Sequence, residues 1–478
     1  MHFDEATGAR ITANRLEGAG YTFEPEHFHG PLLSMLSSPI LRWQGETSWN
    51  GLTKGNLRLG VALLSLLTVA GAIGIGRVGG RSSALAAAAF TATSPLLVYY
   101  GRMYIHEPVF TAFGMLTLLA LLSFLQHPKP LMAAILGIGI GLMAATRETF
   151  VISIAAWGLA ALFWLWKTEP YTPWRKRATH IWKSHARYLG ITLAVTLALI
   201  ITLYSDFFRD PMGAVKFAKT YFAYRLMPGH TKPFIYYANL LLWPKVQGGL
   251  LWTEAGVALL ALYGYFQCRR GTMRTACRFI IHSGALHLLI FSLLAYKTPW
   301  LASLGWLHIC IAAGLGAGQL IRISWGWWRI PAVAIILAIL LWQGTQTKRA
   351  IFRFAVDPRN PYAYAPTTRD AERMATWLDQ LAEDFPILNS KPVTVMGAAY
   401  WPLPWYLRRF EQVGYWQTLP ADAHTHPLIL LVGSGDAIDY TPLEDSHEFF
   451  PRGLRPEVLV TIAIRKDIWK DISAGDAP

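Results

Sequence analysis

Long apolar stretches recur through the first three quarters of the chain, divided by short polar turns. A backbone inside hydrocarbon must satisfy its own hydrogen bonds, so one crossing needs about 20 mostly apolar residues in a helix. Segments at 52–76, 82–100, 104–126, 131–145, 149–167, 189–206, 250–268, 275–295, 299–320 and 328–344 fit that requirement, the fourth being short. His29–Trp43 is apolar but too brief to span, which predicts an interfacial or re-entrant helix. From about Arg349 the apolar runs shrink to strand length and charges spread evenly. The periodicity there predicts a helix over 367–384, capped by Thr368 or Asp370, and buried strands over 391–396, 427–432 and 455–465. The expected fold is mainly α, a polytopic transmembrane helical bundle of about ten spans with a small C-terminal α/β soluble domain. The expected regions are 1–51, an outer acidic loop with the interfacial helix; 52–345, the bundle; and 346–478, an extracytoplasmic α/β domain.

Composition supports lipid burial. A chain that is 53% hydrophobic and only 15% charged is too apolar for a soluble protein of 478 residues. A net charge of +14 would suggest nucleic acid in a soluble protein, but Lys and Arg fall in the short loops between apolar runs, so no nucleic acid is expected. With the N-terminus outside, the inner loops hold Arg77, Arg81, Lys129, Lys167, Arg175, Arg187, Arg269, Arg278, Arg322 and Arg329. The outer loops mix signs, with Arg102, Glu107, Arg147, Glu148, Asp206, Arg209, Asp210 and Lys297. This asymmetry puts both termini on the extracytoplasmic side of the cytoplasmic membrane. Cys268, Cys277 and Cys310 make neither a disulfide framework nor a zinc spacing. Met1 to Arg10 is polar and does not read as a secretory leader.

Charges at the ends of spans cost several kcal/mol unless solvated or paired, so they are the candidates for chemistry. Asp4, Glu5, Arg102, His106, Glu107, Arg147, Glu148 and Lys297 all fall at outer ends. Asp4 and Glu5 suit a general base beside a group that binds metal or substrate, and equally two solvated acids near a chain end. Arg102 suits a phosphate with Glu107 facing Asp4; an Arg102 to Glu107 ion pair is the alternative. Arg147 and Lys297 suit a lipid phosphate at headgroup level, or serve as snorkelling anchors. His2, His27, His29 and His106 could join the carboxylates around magnesium or manganese, with Asp4 and Glu107 as the candidate ligands, although such sites favour oxygen. Gly433-Ser-Gly435-Asp436 lacks the remainder of a nucleotide fingerprint and reads as a turn.

These residues carry a resemblance. The Asp4-Glu5 pair ahead of a half-buried helix and a many-span bundle resembles the GT-C glycosyltransferases, including their protein O-mannosyltransferase branch. A bacterial and archaeal GT-C-like family labelled flippase-activity-associated is closer still. The shared stretches are Tyr21-Thr-Phe-Glu-Pro25, His29-Gly-Pro-Leu-Leu33, Ser94-Pro95 with Tyr99-Tyr-Gly-Arg102, and Ala145-Thr-Arg-Glu148. Tyr296-Lys-Thr-Pro-Trp300, Tyr362-Ala-Tyr-Ala-Pro-Thr-Thr368 and Trp401-Pro-Leu-Pro-Trp-Tyr406 extend them over nearly the whole chain. Two departures stand out: relatives begin with a transmembrane helix that delivers the acidic loop, which predicts an in-frame apolar run encoded before Met1, and Arg147 stands where relatives have lysine. The resemblance implies a cell-envelope enzyme moving sugar from a polyprenyl-phosphate donor to an unknown glycan, lipid or protein acceptor on the outer leaflet. Asp4 would be the base, Glu5 and Glu107 would position acceptor or metal, and Arg102, Arg147 and Lys297 would hold the phosphate. His29, His106, Glu148 and Trp300 would support them, and 205–247 with the C-terminal domain would shape the acceptor site. The rival reading is a transporter or flippase-associated component for lipid-linked sugars without catalysis, which predicts polar residues spread through the membrane depth.

Overall fold

The computed structural model describes residues 1–25, 29–168, 174–223, 230–247, 250–269, 271–433 and 439–474. They form two compact units: Ile11–Thr47 with Thr53–Ala355, and Met1–Arg10 with Ser48–Leu52 and Val356–Pro478. The division falls within the first helix, α1 (Phe3–Leu16), so the acidic pair expected in a loop sits in a helical first turn. Carboxylates are stabilising there, because the first amide groups of a helix carry partial positive charge.

The larger unit is helical. After α2 (Leu32–Trp43) come α3 (Lys54–Ala72), α4 (Gly76–Thr93), α5 (Pro95–Gly101), α6 (His106–Gln126), α7 (Pro130–Ala144) and α8 (Phe150–Thr168). Then follow α9 (Trp174–Tyr204), α10 (Met212–Ala223), α11 (Tyr236–Leu241), the strands β1 (Lys245–Gln247) and β2 (Leu250–Trp252), α12 (Ala255–Gln267), α13 (Gly271–Leu293), α14 (Ser303–Ile323) and α15 (Arg329–Lys348). Among the described residues, Lys54–Thr93, His106–Gln126, Lys183–Tyr204, Gly271–Leu293, Pro299–Ile323 and Gly326–Arg353 are long and apolar enough to cross a membrane. Pro130–Ala144, Phe150–Phe163 and Ala255–Gln267 are apolar but shorter. The first two expected segments share Lys54–Thr93, which Gly80 interrupts with a φ of +80°. The helix of the seventh segment starts later than expected. Leu250–Trp252 pairs with Lys245–Gln247 as an antiparallel hairpin, and α12 starts only after the polar Thr253 and Glu254.

Large apolar side chains cover the outside of this unit: Leu66 and Leu67 are each 64% exposed, Ile330 73% and Leu341 71%. Such a surface is stable only against lipid, and the chain is an integral membrane protein. At the centre runs α14, whose apolar window is wholly buried. Its small residues let α4 and α12 come close; a Cβ on Gly316 would stand 2.1 Å from the Leu260 carbonyl oxygen. Close backbone approach of this kind is how helices gain packing energy where no hydrophobic driving force separates protein from solvent. The expected short helix at 29–43 is α2, which packs on α3, buries Leu32, Leu33 and Leu41, and leaves Trp43 86% exposed.

The smaller unit carries a five-stranded sheet. Its elements are α16 (Arg369–Asp384), β3 (Val393–Met396), α17 (Leu403–Tyr406), β4 (Val413–Trp416), β5 (Leu428–Gly433), β6 (His447–Arg455), β7 (Val458–Arg465) and α18 (Lys466–Ala474). The order is β4-β3-β5-β7-β6, with β3 parallel to β4 and β5, and β5, β7 and β6 antiparallel. The central β5 is an unbroken apolar run buried on both faces. Thr368 caps α16 by accepting from the Ala371 amide at 3.2 Å, a contact worth about 1 kcal/mol. The strand expected over 455–465 is the second arm of a hairpin whose first arm, β6, lacks a clean alternation, and Glu457 turns the chain with a φ of +66°.

Candidate functional site

Within the larger unit, one group of candidates comes together at the start of α6 and the turn joining α7 to α8. Glu107 and Arg147 are each 6% exposed, and the Arg147 guanidinium donates from Nη1 to the Glu107 carboxylate. The ion pair that Glu107 makes is therefore with Arg147, in place of the Arg102 pair left open by the sequence. The Arg147 Nε is buried and has no hydrogen-bond partner among the described residues. A buried cation with an unspent donor is suited to an anionic ligand.

The neighbouring Glu148 accepts from His29 Nδ1 at 3.1 Å, and the His29 ring stands edge-on to His106 at 5.0 Å. Burial raises the Glu148 pKa, but the His29 contact and Arg147 outweigh it and leave the acid well below the usual carboxylate range. The segment holding His29 is pinned through its backbone. Gly30 N donates to Thr146 O at 3.1 Å and Leu32 N to Ala145 O at 3.0 Å. Only glycine permits that approach, since a Cβ on Gly30 would lie 2.1 Å from Ala145 O.

Lys297 lies between α13 and α14, 2% exposed, with its ammonium donating to Lys232 O at 2.9 Å and to Leu294 O. Two of its three donors are thus taken. Trp300 packs edge-on to Tyr100 at 5.6 Å, and the Arg102 guanidinium lies 5.4 Å from the Tyr99 ring. Tyr237 braces this segment, its hydroxyl donating to Thr298 O at 3.0 Å. Burial drives the Tyr237 pKa up, as do Tyr236 and Tyr296, while the Thr298 hydrogen bond and the charge on Arg147 pull against them.

Asp4 and Glu5 belong to the smaller unit. The Asp4 carboxylate is 41% exposed and 3.8 Å from His2 Nδ1. Glu5 is fully buried and accepts from the His2 amide at 2.9 Å. Among the described residues no group of three or more His, Cys, Asp and Glu is placed to hold a metal. Glu107, occupied by a guanidinium, suits an ion pair better than a divalent cation. His27 and Ser434 to Asp436 lie outside the described residues, as do 224–229 of the long loop expected to shape an acceptor site.

Sequence reasoning passed over Glu254, 1% exposed at the start of α12. It accepts from Ser94 Oγ at 2.7 Å, Leu96 N at 3.3 Å, Trp306 Nε1 at 2.8 Å and Gln343 Nε2 at 3.1 Å. A lone acid at the mouth of an apolar run is the same signal that singled out Glu107, and it was there to be read. His287 and His308 were also missed; they are buried on α13 and α14, with Trp157 Nε1 donating to His308 Nε2 at 2.9 Å.

The family model for dolichyl-phosphate-mannose-protein mannosyltransferases matches residues 47–205, the stretch that contains Arg102, Glu107 and Arg147. Among solved structures the chain is similar to ArnT from Cupriavidus metallidurans in its apo state, at 16% identity and a TM-score of 0.61, covering 96% of this chain and 93% of that one. The same protein bound to undecaprenyl phosphate matches with a TM-score of 0.58 over the same shares. The archaeal oligosaccharyltransferase AglB from Archaeoglobus fulgidus, in complex with an inhibitory peptide and a dolichol-phosphate, matches at 12% identity and a TM-score of 0.51, covering 86% of this chain and 60% of that one. No curated protein matches the sequence. The chain has the GT-C fold seen in ArnT. The mannosyltransferase family model covers less than half of the chain, and the likeness to ArnT and AglB is a likeness of fold.

Proposed function

We propose that the chain is a glycosyltransferase that moves a sugar from a polyprenyl-phosphate donor to an acceptor hydroxyl on the non-cytoplasmic side of the membrane. The observation that carries this reading is the buried Arg147, partnered on one edge by Glu107 and left with an unspent Nε. A lipid phosphate meets protein at headgroup level, where such cations bind it by charge-assisted hydrogen bonds. The likeness to a protein solved with undecaprenyl phosphate and to another solved with a dolichol-phosphate supports the donor class. The outward orientation rests on the distribution of Lys and Arg among the loops.

In this mechanism the bond between the anomeric carbon and the phosphate oxygen breaks as the acceptor oxygen attacks from the opposite face, inverting the configuration. The base that takes the acceptor proton is assigned to the half-exposed Asp4 carboxylate on the sequence resemblance alone. The charge developing on the phosphate is stabilised by Arg147, Lys297 and Arg102. Glu107 keeps the Arg147 guanidinium oriented, and His29, Glu148 and Gly30 hold the α7–α8 turn that presents it. Buried Glu5 holds the first turn of α1 through the His2 amide. Incubating the purified protein with labelled polyprenyl-phosphate sugars and membrane acceptors tests the reading. Label should leave the lipid for wild type and remain on it for Arg147→Met; equal transfer by both would overturn the assignment.

A further inference from the structure

The smaller unit carries a row of aromatic rings at its surface that the mechanism does not use. Phe3 on α1, 37% exposed, meets the Trp401 ring edge-on at 5.6 Å. Trp401 and Tyr400 lie nearly parallel at 6.2 Å, and Tyr400 contacts Tyr415 at 4.6 Å. Tyr415, 37% exposed, projects from β4, the edge strand of the sheet. Burial and Tyr400 push its phenol pKa up, and the charge on Arg10 pulls against them. Arg10 is itself exposed and held over the Trp49 ring at 5.1 Å. The other end is closed by Asp4, next to Phe3.

We infer that this row, Phe3–Trp401–Tyr400–Tyr415 bounded by Asp4 and Arg10, is a carbohydrate-binding platform that holds a glycan acceptor. Pyranose rings present a face of C–H groups that packs on aromatic faces, while their hydroxyls need donors and acceptors at the rim. Rings that are half-exposed and fixed by one another supply the first, at small entropic cost. A half-exposed carboxylate and a guanidinium supply the second. A membrane-interface belt is the competing use of Trp and Tyr, but it draws on separate rings. Here each ring packs against the next, edge-on at Phe3 and Trp401 and closer to parallel at Tyr400, and the Asp4 carboxylate repels anionic headgroups. The acceptor role rests on the glycosyltransferase reading; glycan binding by the platform does not.

The test uses the full chain in nanodiscs, a panel of soluble oligosaccharides followed by tryptophan fluorescence, and anionic or zwitterionic vesicles as the second ligand. Wild type should bind at least one oligosaccharide class, and Tyr415→Ala and Arg10→Gln should each weaken that binding tenfold or more. Tyr415→Phe, which keeps the ring, should retain it. In a transfer assay Tyr415→Ala should raise the acceptor KM and leave kcat within about twofold. Glycan binding without any sugar transfer would support the platform and overturn only the enzymatic reading. Transfer with unchanged acceptor KM and no glycan binding would overturn the platform. Loss of vesicle association in Tyr415→Ala, with no effect on oligosaccharides, would reassign the row to the lipid surface.

Discussion

The Glu107–Arg147 pair offers a way to separate the structural work of a buried charge from its chemical work. Both side chains are less than a tenth exposed, so removing either partner strands the other in a site from which water is largely excluded. Breaking a buried pair from one side costs about 3–5 kcal/mol, whereas replacing both members with well-packed apolar residues is often neutral. Arg147→Met alone, leaving an uncompensated Glu107, and Glu107→Leu alone, leaving an uncompensated Arg147, should therefore each lower the unfolding free energy by about 3–5 kcal/mol. The double variant should return to within roughly 1 kcal/mol of wild type. Catalysis should behave differently. If Arg147 carries the phosphate, the double variant stays inactive although it is stable, because the guanidinium is gone. The assay is a double-mutant cycle in which thermal unfolding in detergent and sugar transfer are read on the same four samples. Recovery of transfer with recovery of stability would refute the reasoning, since Arg147 would then matter only as the partner of Glu107.

Glu254→Gln should cost about 1–3 kcal/mol, because an amide NH2 must face at least one of the four donors, and Glu254→Leu should cost more by stranding all of them; thermal unfolding reads both. His447 is buried, donates through Nε2 to His426 O at 2.8 Å, and meets Ser446 Oγ through Nδ1 at 2.8 Å. Burial lowers its pKa, so the folded state takes up a proton less readily than the unfolded one. Its contribution to stability is complete above about pH 6.5 and falls as the pH drops below that value. Hydrogen-exchange protection along β6 and β7, corrected for the intrinsic pH dependence of amide exchange, should fall as the pH drops below about 6.5, and His447→Phe should flatten that dependence. Chelation of divalent cations should leave transfer within about twofold, since the charge stabilisation is assigned to guanidinium and ammonium groups; complete loss on chelation, restored by magnesium or manganese, would give Asp4 and Glu107 a metal to hold.

The membrane core was legible in the sequence because lipid imposes a single demand, a run of apolar residues long enough to satisfy its own backbone. Where that demand weakens, the reading drifted. The run at 250–268 hides a hairpin strand and a helix of 13 residues, because hydropathy does not register that Glu254 is drawn inward by donors from the α4–α5 junction, α5, α14 and α15. Strand β6 escaped because His447–Arg455 includes Pro451 and Gly453 and takes its conformation from pairing with β7. The charged span ends were found by their cost in a membrane, yet their pairing was not. That Glu107 meets Arg147, 40 residues away, follows from how α6 and α7 pack, and no local spacing encodes it. Glu5 shows the opposite failure: adjacent carboxylates looked equivalent, but helical geometry buries Glu5 and leaves Asp4 partly in solvent.

The central claim is that a glycosyl bond is broken by this chain, and it is most directly tested in sealed vesicles that contain only the purified protein, a radiolabelled polyprenyl-phosphate sugar and an acceptor. Wild type should convert the donor to free polyprenyl phosphate and glycosylated product at matching rates with no ion gradient present, and Asp4→Asn should abolish the conversion at equal protein abundance. Donor that changes leaflet with its glycosyl bond intact, at the same rate in both proteins, would contradict the account.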